Sequence, residues 1–378
     1  MIQLENVDRA TPKAVGSART SRRLDERARL GYDRIMRGCG VIFGVSLVLM
    51  GCDEDEGDSD SSTTGPSTTT SSSTTTDSSS TTSDDPPPQP AWAVGEAGTM
   101  LRIDADGSGS GYPLDEDADL LAIDCLGSHV AWASGSDGTV IRTVDGGQTW
   151  TRIDLETRAT LRGIDIVHPF LVYVAGDDGA FHLTQDGGVT WQSVDTAPVD
   201  FSAVATDGHG EVALVTALDG SIWRYEHAAG RLWQVHASAM ALRGISMSTD
   251  GEEGVAVGEL GTWLESHDGG VSWVARDVDT TRDLHAVQLG RAGGIVIAVG
   301  QAGVVVRASS QDVSVDETLD PALTLRAVHA SANGEGVAVG DAGVVLLTRD
   351  HGETWLPAPQ GLDFTLHGVD ALGDHAHL

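Results

Sequence analysis

Three sets of residues in this sequence could do chemistry, and each implies a different kind of site. An eight-residue phrase recurs, as TVDGGQTW from Thr143, TQDGGVTW from Thr184, SHDGGVSW from Ser266 and TRDHGETW from Thr348. A second stretch, DADGSGSGYPLD, spaces oxygen-bearing side chains like a calcium-binding loop. The third set consists of arginines and histidines at one recurring position, and such a cluster would suit an anionic ligand.

The recurring phrase has the composition of a turn that satisfies its own backbone. In the first copy, Asp145 can accept backbone N–H groups and Gly147 can adopt a positive φ. Thr149 can begin a returning strand, and Trp150 can bury a large ring. We predict a structural role, with a ligand or metal site in each copy as the alternative. The residues so assigned are Asp145, Gly147, Thr149, Trp150, Asp186, Gly188, Thr190, Trp191, Asp268, Gly270, Ser272, Trp273, Asp350, Gly352, Thr354 and Trp355.

The calcium-like stretch is better interpreted as a turn. Its matches to an EF-hand loop are Asp104, Asp106, Ser108, Gly109 and Asp115. The flanking sequence has no helical pattern, Pro113 interrupts the loop, and its last position carries Asp in place of Glu. We therefore expect no metal and no other cofactor.

The charge of the chain excludes several partners. The formal net charge is −33, and Lys13 is the only lysine. Nucleic-acid phosphates and anionic lipid surfaces require Lys/Arg patches, so neither is an expected partner.

The first 51 residues read as an export signal. An apolar run from Val41 to Met50 follows Arg37. A run of about ten residues is too short to cross a bilayer but suits a signal peptide. The sequence LMGC, ending at Cys52, resembles the lipobox of bacterial lipoproteins, which implies lipidation of Cys52 and a membrane anchor. An unlipidated signal peptide is the alternative. Met36 could be the true start, with residues 1–35 an extension.

Residues 52–90 are predicted to form a disordered linker. Beyond Cys52 the segment is Ser/Thr/Asp-rich, ends in DDPPPQP and contains almost no apolar residue. It cannot offset the entropy cost of ordering. Such a chain would reach roughly 35 Å, and it could carry O-linked glycans. Cys125 lies beyond it and is expected to be a small core residue.

From residue 91 to 378 the chain follows one period. The tripeptide AVG or its equivalent ends at Gly95, Gly135, Gly176, Ala217, Gly258, Gly300 and Gly340, at steps of 40 to 42 residues. An apolar-led phrase such as LRGI begins at Leu120, Leu161, Phe201, Leu242, Leu284, Leu325 and Leu366. Each unit has four short alternating runs separated by Gly/Asp turns, which indicates four strands.

Four strands per repeat of about 40 residues predict the blades of an all-β, seven-bladed β-propeller. A solenoid is the alternative, but it would leave open edge strands. The ends of the repeat favour a ring. The first unit lacks its LRGI-type strand, whereas LHGVD at Leu366 has no unit after it. We expect this C-terminal strand to complete the N-terminal blade.

Repeats of this form, with AVG followed by an RTxDGGxTW phrase, resemble the photosystem II assembly and stability factor family of seven-bladed propellers. The phrase is similar to the Asp-box of bacterial neuraminidase repeats, where it is structural. The resemblance covers residues 91–378 and implies the fold. The family's proteins bind membrane-protein assembly intermediates, and the resemblance implies a protein-binding, assembly-factor-like scaffold here.

The wider superfamily includes sialidases and xyloglucanases, so a carbohydrate-active enzyme or glycan-binding protein is the alternative function. A sialidase needs an arginine triad and a Tyr/Glu nucleophile pair, yet nothing singles out Tyr112, Tyr173 or Tyr225. No G-x-S-x-G, H-E-x-x-H or P-loop motif is present. We predict no catalytic residue. A purely structural surface protein is a third possibility.

One constellation is expected to meet around the ring axis. The second residue of each LRGI-type strand lies at a common level, and five of these positions are basic. We name this set the collar: Arg162, Arg243, His285, Arg326 and His367. It predicts recognition of an acidic protein segment or anionic glycan. The alternative is that the stems pack between blades and the charged heads are solvated or paired with a nearby Asp. The prediction is thus a monomeric, exported lipoprotein whose propeller binds an envelope partner.

Overall fold

The computed structural model describes residues 90–112, 114, 117–290, 294–358 and 362–371. They form seven antiparallel sheets of four strands each. The first strand of every sheet contacts the first strands of both neighbouring sheets, so these strands surround a common axis. The predicted seven-bladed β-propeller is confirmed. No helix within these ranges is long and apolar enough to cross a membrane.

The strands, numbered in chain order, fall into blades as follows. Blade 1 contains Ala91–Gly95 (β1), Met100–Ile103 (β2) and Gly109–Tyr112 (β3). Blade 2 contains Leu120–Leu126 (β4), Val130–Gly135 (β5), Val140–Thr143 (β6) and Thr151–Ile153 (β7). Blade 3 contains Leu161–His168 (β8), Leu171–Gly176 (β9), Phe181–Thr184 (β10) and Gln192–Ser193 (β11). Blade 4 contains Phe201–Thr206 (β12), Val212–Ala217 (β13), Ser221–Glu226 (β14) and Arg231–Ala237 (β15). Blade 5 contains Leu242–Met247 (β16), Gly254–Gly258 (β17), Trp263–Ser266 (β18) and Val274–Ala275 (β19). Blade 6 contains Leu284–Leu289 (β20), Val296–Gly300 (β21), Val305–Ala308 (β22) and Val313–Asp316 (β23). Blade 7 contains Leu325–Ala330 (β24), Gly336–Gly340 (β25), Val345–Thr348 (β26) and Leu356–Pro357 (β27), and Leu366–Ala371 (β28) belongs to blade 1.

The ring closes as the permuted repeat predicts. Strand β28 pairs antiparallel with β1, with Ala371 opposite Ala91 and Leu366 opposite Gly95. Blade 1 is therefore assembled from both ends of the propeller, and the closure is non-covalent.

The core lies between blades. The second strands are almost wholly buried, because blades pack on both of their faces. At the closing seam, Val337 and Val339 of blade 7 share one apolar cluster with Leu366, Val369 and Ala93 of blade 1. Each blade thus buries its apolar surface only when its neighbours are present, which is why the repeats require a ring.

Tight turns join the second and third strands. In blade 1, Ala97 and Gly98 both have positive φ, and the N–H of Thr99 bonds to the carbonyl of Glu96. This is the type I′ hairpin geometry. The short 3₁₀ segments here and at the equivalent position in four other blades are Glu96–Gly98, Ser136–Gly138, Asp177–Gly179, Glu259–Gly261 and Asp341–Gly343. Blade 4 differs, and its 3₁₀ segment, His227–Ala229, joins the third and fourth strands.

Candidate functional site

The recurring DGG phrase forms the turn between the third and fourth strands of its blade. Asp145 Oδ1 accepts the N–H of Thr149 at 2.9 Å, and Oδ2 accepts the Thr149 hydroxyl at 2.6 Å. Behind it, Thr143 Oγ1 accepts the buried N–H of Gly147 at 2.9 Å. The other three copies repeat these bonds through Asp186, Asp268 and Asp350. Both carboxylate oxygens are engaged within the turn.

The same bonds alter the acidity of these aspartates. Donation by the Thr149 hydroxyl, and then by its N–H, lowers the pKa of Asp145 from 3.8 to about 2. The pKa values of Asp186, Asp268 and Asp350 are also about 2, for the same reason. A depressed carboxyl pKa adds stability above the unfolded value, and that stability is lost as the pH falls from about 3.8 towards 2. The turns are therefore acid-sensitive stabilising elements.

The tryptophans of the turns pack between blades. Trp150 of blade 2 meets Trp92 of blade 1 edge to face, with ring centroids 5.9 Å apart. Trp191 of blade 3 meets Trp132 of blade 2 in the same way at 6.0 Å. Trp273 and Trp355 are buried. Geometry of this kind adds to the apolar burial that holds neighbouring blades together.

The calcium-like stretch forms a hairpin turn. Gly107 has a φ of 82°, and its N–H donates to the carbonyl of Asp104 at 2.8 Å. Asp106 accepts the N–H and the hydroxyl of Ser108, so its carboxylate turns back on its own loop. Asp115 lies outside the described residues, as does Cys52. Within the described ranges, no group of three or more His, Cys, Asp or Glu side chains is arranged to hold a metal.

The collar residues lie at equivalent positions at the start of the inner strands, and each arginine faces an acid of its own blade. Arg162 donates to Asp177 through Nε at 2.7 Å and through Nη2 at 3.1 Å. Arg243 reaches Glu259 at 2.7 Å. Arg326 contacts Asp341. These acids are the first residues of the type I′ turns. Pairing with a nearby Asp was the alternative in the sequence analysis, which did not identify these partners. The arginine side chains remain 35 to 38% exposed, so part of each side chain still faces solvent.

The two collar histidines are less basic than the sequence suggests. Burial, and then the charges of Arg243 and Arg326, lowers the pKa of His285. Burial and Arg326 likewise lower the pKa of His367. Desolvation and the neighbouring arginines thus disfavour the charged ring of both histidines. Arg243, His285 and Arg326 belong to the inner strands of consecutive blades 5, 6 and 7, so they lie along one arc of the collar.

The collar face also carries carboxylates that the sequence analysis did not single out. Asp119 accepts the N–H of Ala97 from the preceding blade at 2.8 Å. Asp200 accepts the N–H of Asp178, and Asp283 accepts the N–H of Leu260, both at 3.0 Å. These bonds join the turn of one blade to the next blade. The collar is therefore a ring of arginines among carboxylates and not a purely basic patch.

A second polar ring lies at the other end of the inner strands, and sequence reasoning missed it too. Asp370 accepts the N–H of Cys125 in the next blade at 2.7 Å, and Asp124 accepts the N–H of Ile166 in the same manner. Asp165 accepts the N–H of Thr206 at 3.2 Å. They line a cavity of about 200 Å³. The signal was available, because these aspartates share one repeat position.

Cys125 lies between these aspartates as a core residue, as predicted. It is 1% exposed. Burial, followed by the charge of Asp370, raises the pKa of its thiol, so the thiolate is disfavoured.

Arginines of the third strands form a further link between blades. Arg142 contacts the carbonyl of Gly187 in the next blade, and Arg224 donates to that of Gly269 at 2.9 Å. Arg307 bonds the carbonyl of His351 in the same way. Since these arginines donate to backbone carbonyls in a turn of the neighbouring blade, they stabilise the contact between blades.

The tyrosines have structural partners. Tyr112 donates to the carbonyl of Gln148 at 2.6 Å, and Tyr173 to that of Gly210 at 3.0 Å. Tyr225 is 1% exposed and packs against Phe181. The hydroxyl bonds of Tyr112 and Tyr173 and the burial of Tyr225 give each a structural role instead of the sialidase arrangement.

The fold defines the class of this chain: a seven-bladed β-propeller closed by its C-terminal strand. No protein-family profile and no curated protein matches it. Among solved structures it is similar to YCF48 bound to D1 peptide, with 19% identity, a TM-score of 0.53, and coverage of 67% of this chain and 90% of that one. It is also similar to YCF48 from Cyanidioschyzon merolae, with 17% identity, a TM-score of 0.53, and coverage of 65% and 87%.

Proposed function

We propose that this protein is a cell-envelope lipoprotein whose propeller binds a partner protein through the collar face. The observation that carries the proposal is the ring of half-exposed arginines around one mouth of the propeller. Each has an edge engaged by its own blade, which fixes the guanidinium in place and limits the entropy cost of binding. The remaining N–H groups suit a carboxylate. A similar propeller, YCF48, is described with a bound D1 peptide, which supports peptide binding as a use of this fold.

The proposed partner contributes an acidic or C-terminal carboxylate group that docks against the arginines. It must compete with Asp177, Glu259 and Asp341, so we expect the interaction to be moderate in strength and sensitive to salt. An anionic glycan is the alternative ligand. Binding of either kind would use the fold as a scaffold and would require no reaction.

The anchor is tested by Cys52→Ser. The motivating observation is the sequence LMGC. If Cys52 carries lipid, the variant should move from the membrane fraction to the soluble fraction, since acyl chains supply the membrane affinity. Fractionation and immunoblotting measure this, with Cys125→Ser as the matched control that should stay membrane-bound. Equal membrane partition of the wild type and Cys52→Ser would eliminate the lipoprotein assignment.

Partner binding is tested by changing Arg162, Arg243 and Arg326 to Ala together. A photo-reactive amino acid at Ser202, which occupies the equivalent position in blade 4, should crosslink the partner in native envelopes. Amine-directed reagents are unsuitable because Lys13 is the only lysine. We expect the triple variant to lose at least ten-fold in crosslink yield while unfolding near the wild-type temperature.

The control for this experiment replaces three exposed arginines outside the collar, Arg102, Arg158 and Arg282. It makes the same change in net charge. Full crosslinking by a folded collar variant would show that the partner binds elsewhere. Loss of crosslinking by both variants would show that total charge, and not the collar, matters. Crosslinks to glycan alone would favour the alternative ligand.

A further inference from the structure

A serine, a histidine and an aspartate meet at the seam where the ring closes. His329 lies on β24 of blade 7, and Ser331 follows directly after that strand. Asp370 lies on the closing strand β28. His329 Nδ1 is 2.5 Å from Asp370 Oδ1, and its Nε2 is 3.4 Å from Ser331 Oγ. His329 and Asp370 are 4% and 7% exposed, whereas Ser331 is half-buried.

The order of these groups matches that of an activated serine. With Nδ1–H donating to the carboxylate, a neutral His329 presents the lone pair of Nε2 to the serine hydroxyl. Asp370 fixes this tautomer and the orientation of the ring. The histidine is then placed to accept the proton of Ser331, at a distance that can shorten when a substrate binds.

A comparison with blade 5 shows that the side chain of Ser331 does not make the loop bonds that the equivalent serine makes there. In blade 5 the equivalent residue is Ser248, whose Oγ donates to Asp250 and accepts the N–H of Glu253 at 2.9 Å. In blade 7 the side chain of Asn333 accepts the N–H of Glu335 instead. The loop is therefore capped without Ser331, and its hydroxyl is directed to His329.

His329 and Ser331 border a small cavity between blades 7 and 1, and Asp370 contacts His329 from the closing strand. The cavity has a volume of about 50 Å³, and Ala91, Ile103 and Leu347 are among its apolar lining residues. That space suits a short acyl group and little more. Arg349 lines the same cavity, with Nη2 bonded to the carbonyl of Ala105 at 3.0 Å. It is the one arginine among the residues lining this cavity, and its remaining N–H groups can donate to a developing oxyanion.

We propose that Ser331 is a nucleophile that accepts short acyl groups from small esters, with His329 as its base and Asp370 as a positioning residue. Ser331 Oγ attacks the ester carbonyl carbon while its proton passes to His329 Nε2. The ester C–O bond then breaks, and the alkoxide leaves with that proton. Water attacks the acyl-serine by the same route, so one ester and one water give one acid and one alcohol. This activity goes beyond the proposed binding role.

The test uses the full-length protein and a fluorophosphonate probe, with the labelled residue identified by mass spectrometry. We expect labelling at Ser331 that disappears in Ser331→Ala. Ser248→Ala, the matched control from blade 5, should label like the wild type. His329→Gln keeps a polar group against Asp370 and should slow labelling by about 100-fold or more. p-Nitrophenyl acetate should give a burst of p-nitrophenol that Ser331→Ala lacks.

Two further measurements separate chemistry from folding. Thermal unfolding of each variant identifies any that fail to fold. If His329→Gln fails to fold, Ser331→Ala still tests the proposal, because its half-buried loop position tolerates loss of the hydroxyl. Asp370→Asn should displace the pH profile of labelling, a change that loss of packing alone does not produce. Absence of label at Ser331 in the folded wild type, or equal labelling in folded His329→Gln, overturns the proposal. The collar variant should be labelled at Ser331 like the wild type. Failure of the binding proposal and failure of the nucleophile proposal are therefore distinguishable.

Discussion

Deleting residues 364–378 should abolish cooperative folding of the propeller. The deletion removes β28 and leaves β1 with an unpaired edge, because the two strands pair from Ala91 opposite Ala371 to Gly95 opposite Leu366. It also removes the buried side chains of Leu366 and Val369, whose burial contributes about 1.5–3 kcal/mol each. With the ladder hydrogen bonds and the acceptor for Cys125 also lost, the cost approaches the total stability of a typical domain, about 5–15 kcal/mol. Circular dichroism melts and light scattering should report a low, broad transition and aggregation.

The matched control returns the same strand in a different order. In this permuted variant, residues 364–371 precede Ala91, joined by a copy of the Gly127–His129 loop that links β4 to β5 in blade 2. Blade 1 would then be covalently continuous, like the other six. Wild-type stability of the permuted variant, beside failure of the truncated one, would assign the loss to the missing strand. A truncated protein that melts like the wild type would contradict the role of β28 in closing the ring.

The fold was predictable because both the spacing of apolar residues and the turn-forming residues recur with the same period. The permutation itself was visible, since LHGVD at Leu366 stands where a first strand is expected and no LRGI-type strand precedes AWAVG at Ala91. Strand order followed from those facts alone. Local propensity, apolar pattern and ring closure all favour the same fold, which makes such predictions robust.

For the candidate site, the sequence predicted which residues share a position in the repeat but not which side chains contact each other. The sequence placed the collar arginines at one level and gave pairing with a nearby Asp as the alternative, but it did not identify the partners. Each of these blades has an acid directly after the AVG-type tripeptide, at Asp177, Glu259 and Asp341. A glycan or peptide site built on charge alone was therefore overstated. Comparing repeat positions with each other, blade by blade, would have found the pairs.

Contacts between blades were the least predictable. The contacts of Asp370 with Cys125 and with His329 join residues of different repeats, and the first joins the two ends of the propeller. Which side chains meet there depends on the curvature and tilt of the inner strands. Residue spacing carries no direct record of either, so the serine, histidine and aspartate of the seam became visible only in three dimensions.

Replacing Gly300 by Ala should be among the most destabilising single changes in the propeller. A Cβ at Gly300 would lie 1.9 Å from the carbonyl oxygen of Asp283, far inside contact distance. That oxygen accepts the N–H of Gln301 at 2.8 Å, so relieving the clash also breaks a hydrogen bond that ties the start of β20 to the end of β21. We expect a loss of about 3 kcal/mol in the free energy of unfolding, measured by chemical denaturation.

Glycine is required here because two backbone segments approach closely, and not because of an unusual dihedral angle. The matching glycines of other blades have extended backbones. Gly95, Gly135, Gly176, Gly258 and Gly340 would all place a Cβ 1.9 to 2.1 Å from the equivalent carbonyl oxygen. Blade 4 is the natural exception. It carries Ala217 at this position and uses a different turn, in which Gly220 has a φ of 86° and donates to the Ala217 carbonyl at 3.0 Å.

This exception supplies the control for Gly300→Ala. Ala217→Gly removes one buried methyl group and should cost about 1 kcal/mol, from lost burial and added backbone entropy, without a clash. If close approach of the two strands sets the identity of this residue, Gly300→Ala should be several-fold more damaging than Ala217→Gly. Transplanting Ala217–Ser221 in place of Gly300–Val304 should recover much of the loss, because the turn that tolerates Ala comes with it. Equal, small effects of the two single substitutions would mean that the backbone at Gly300 yields easily, and that AVG recurs for some reason other than this contact.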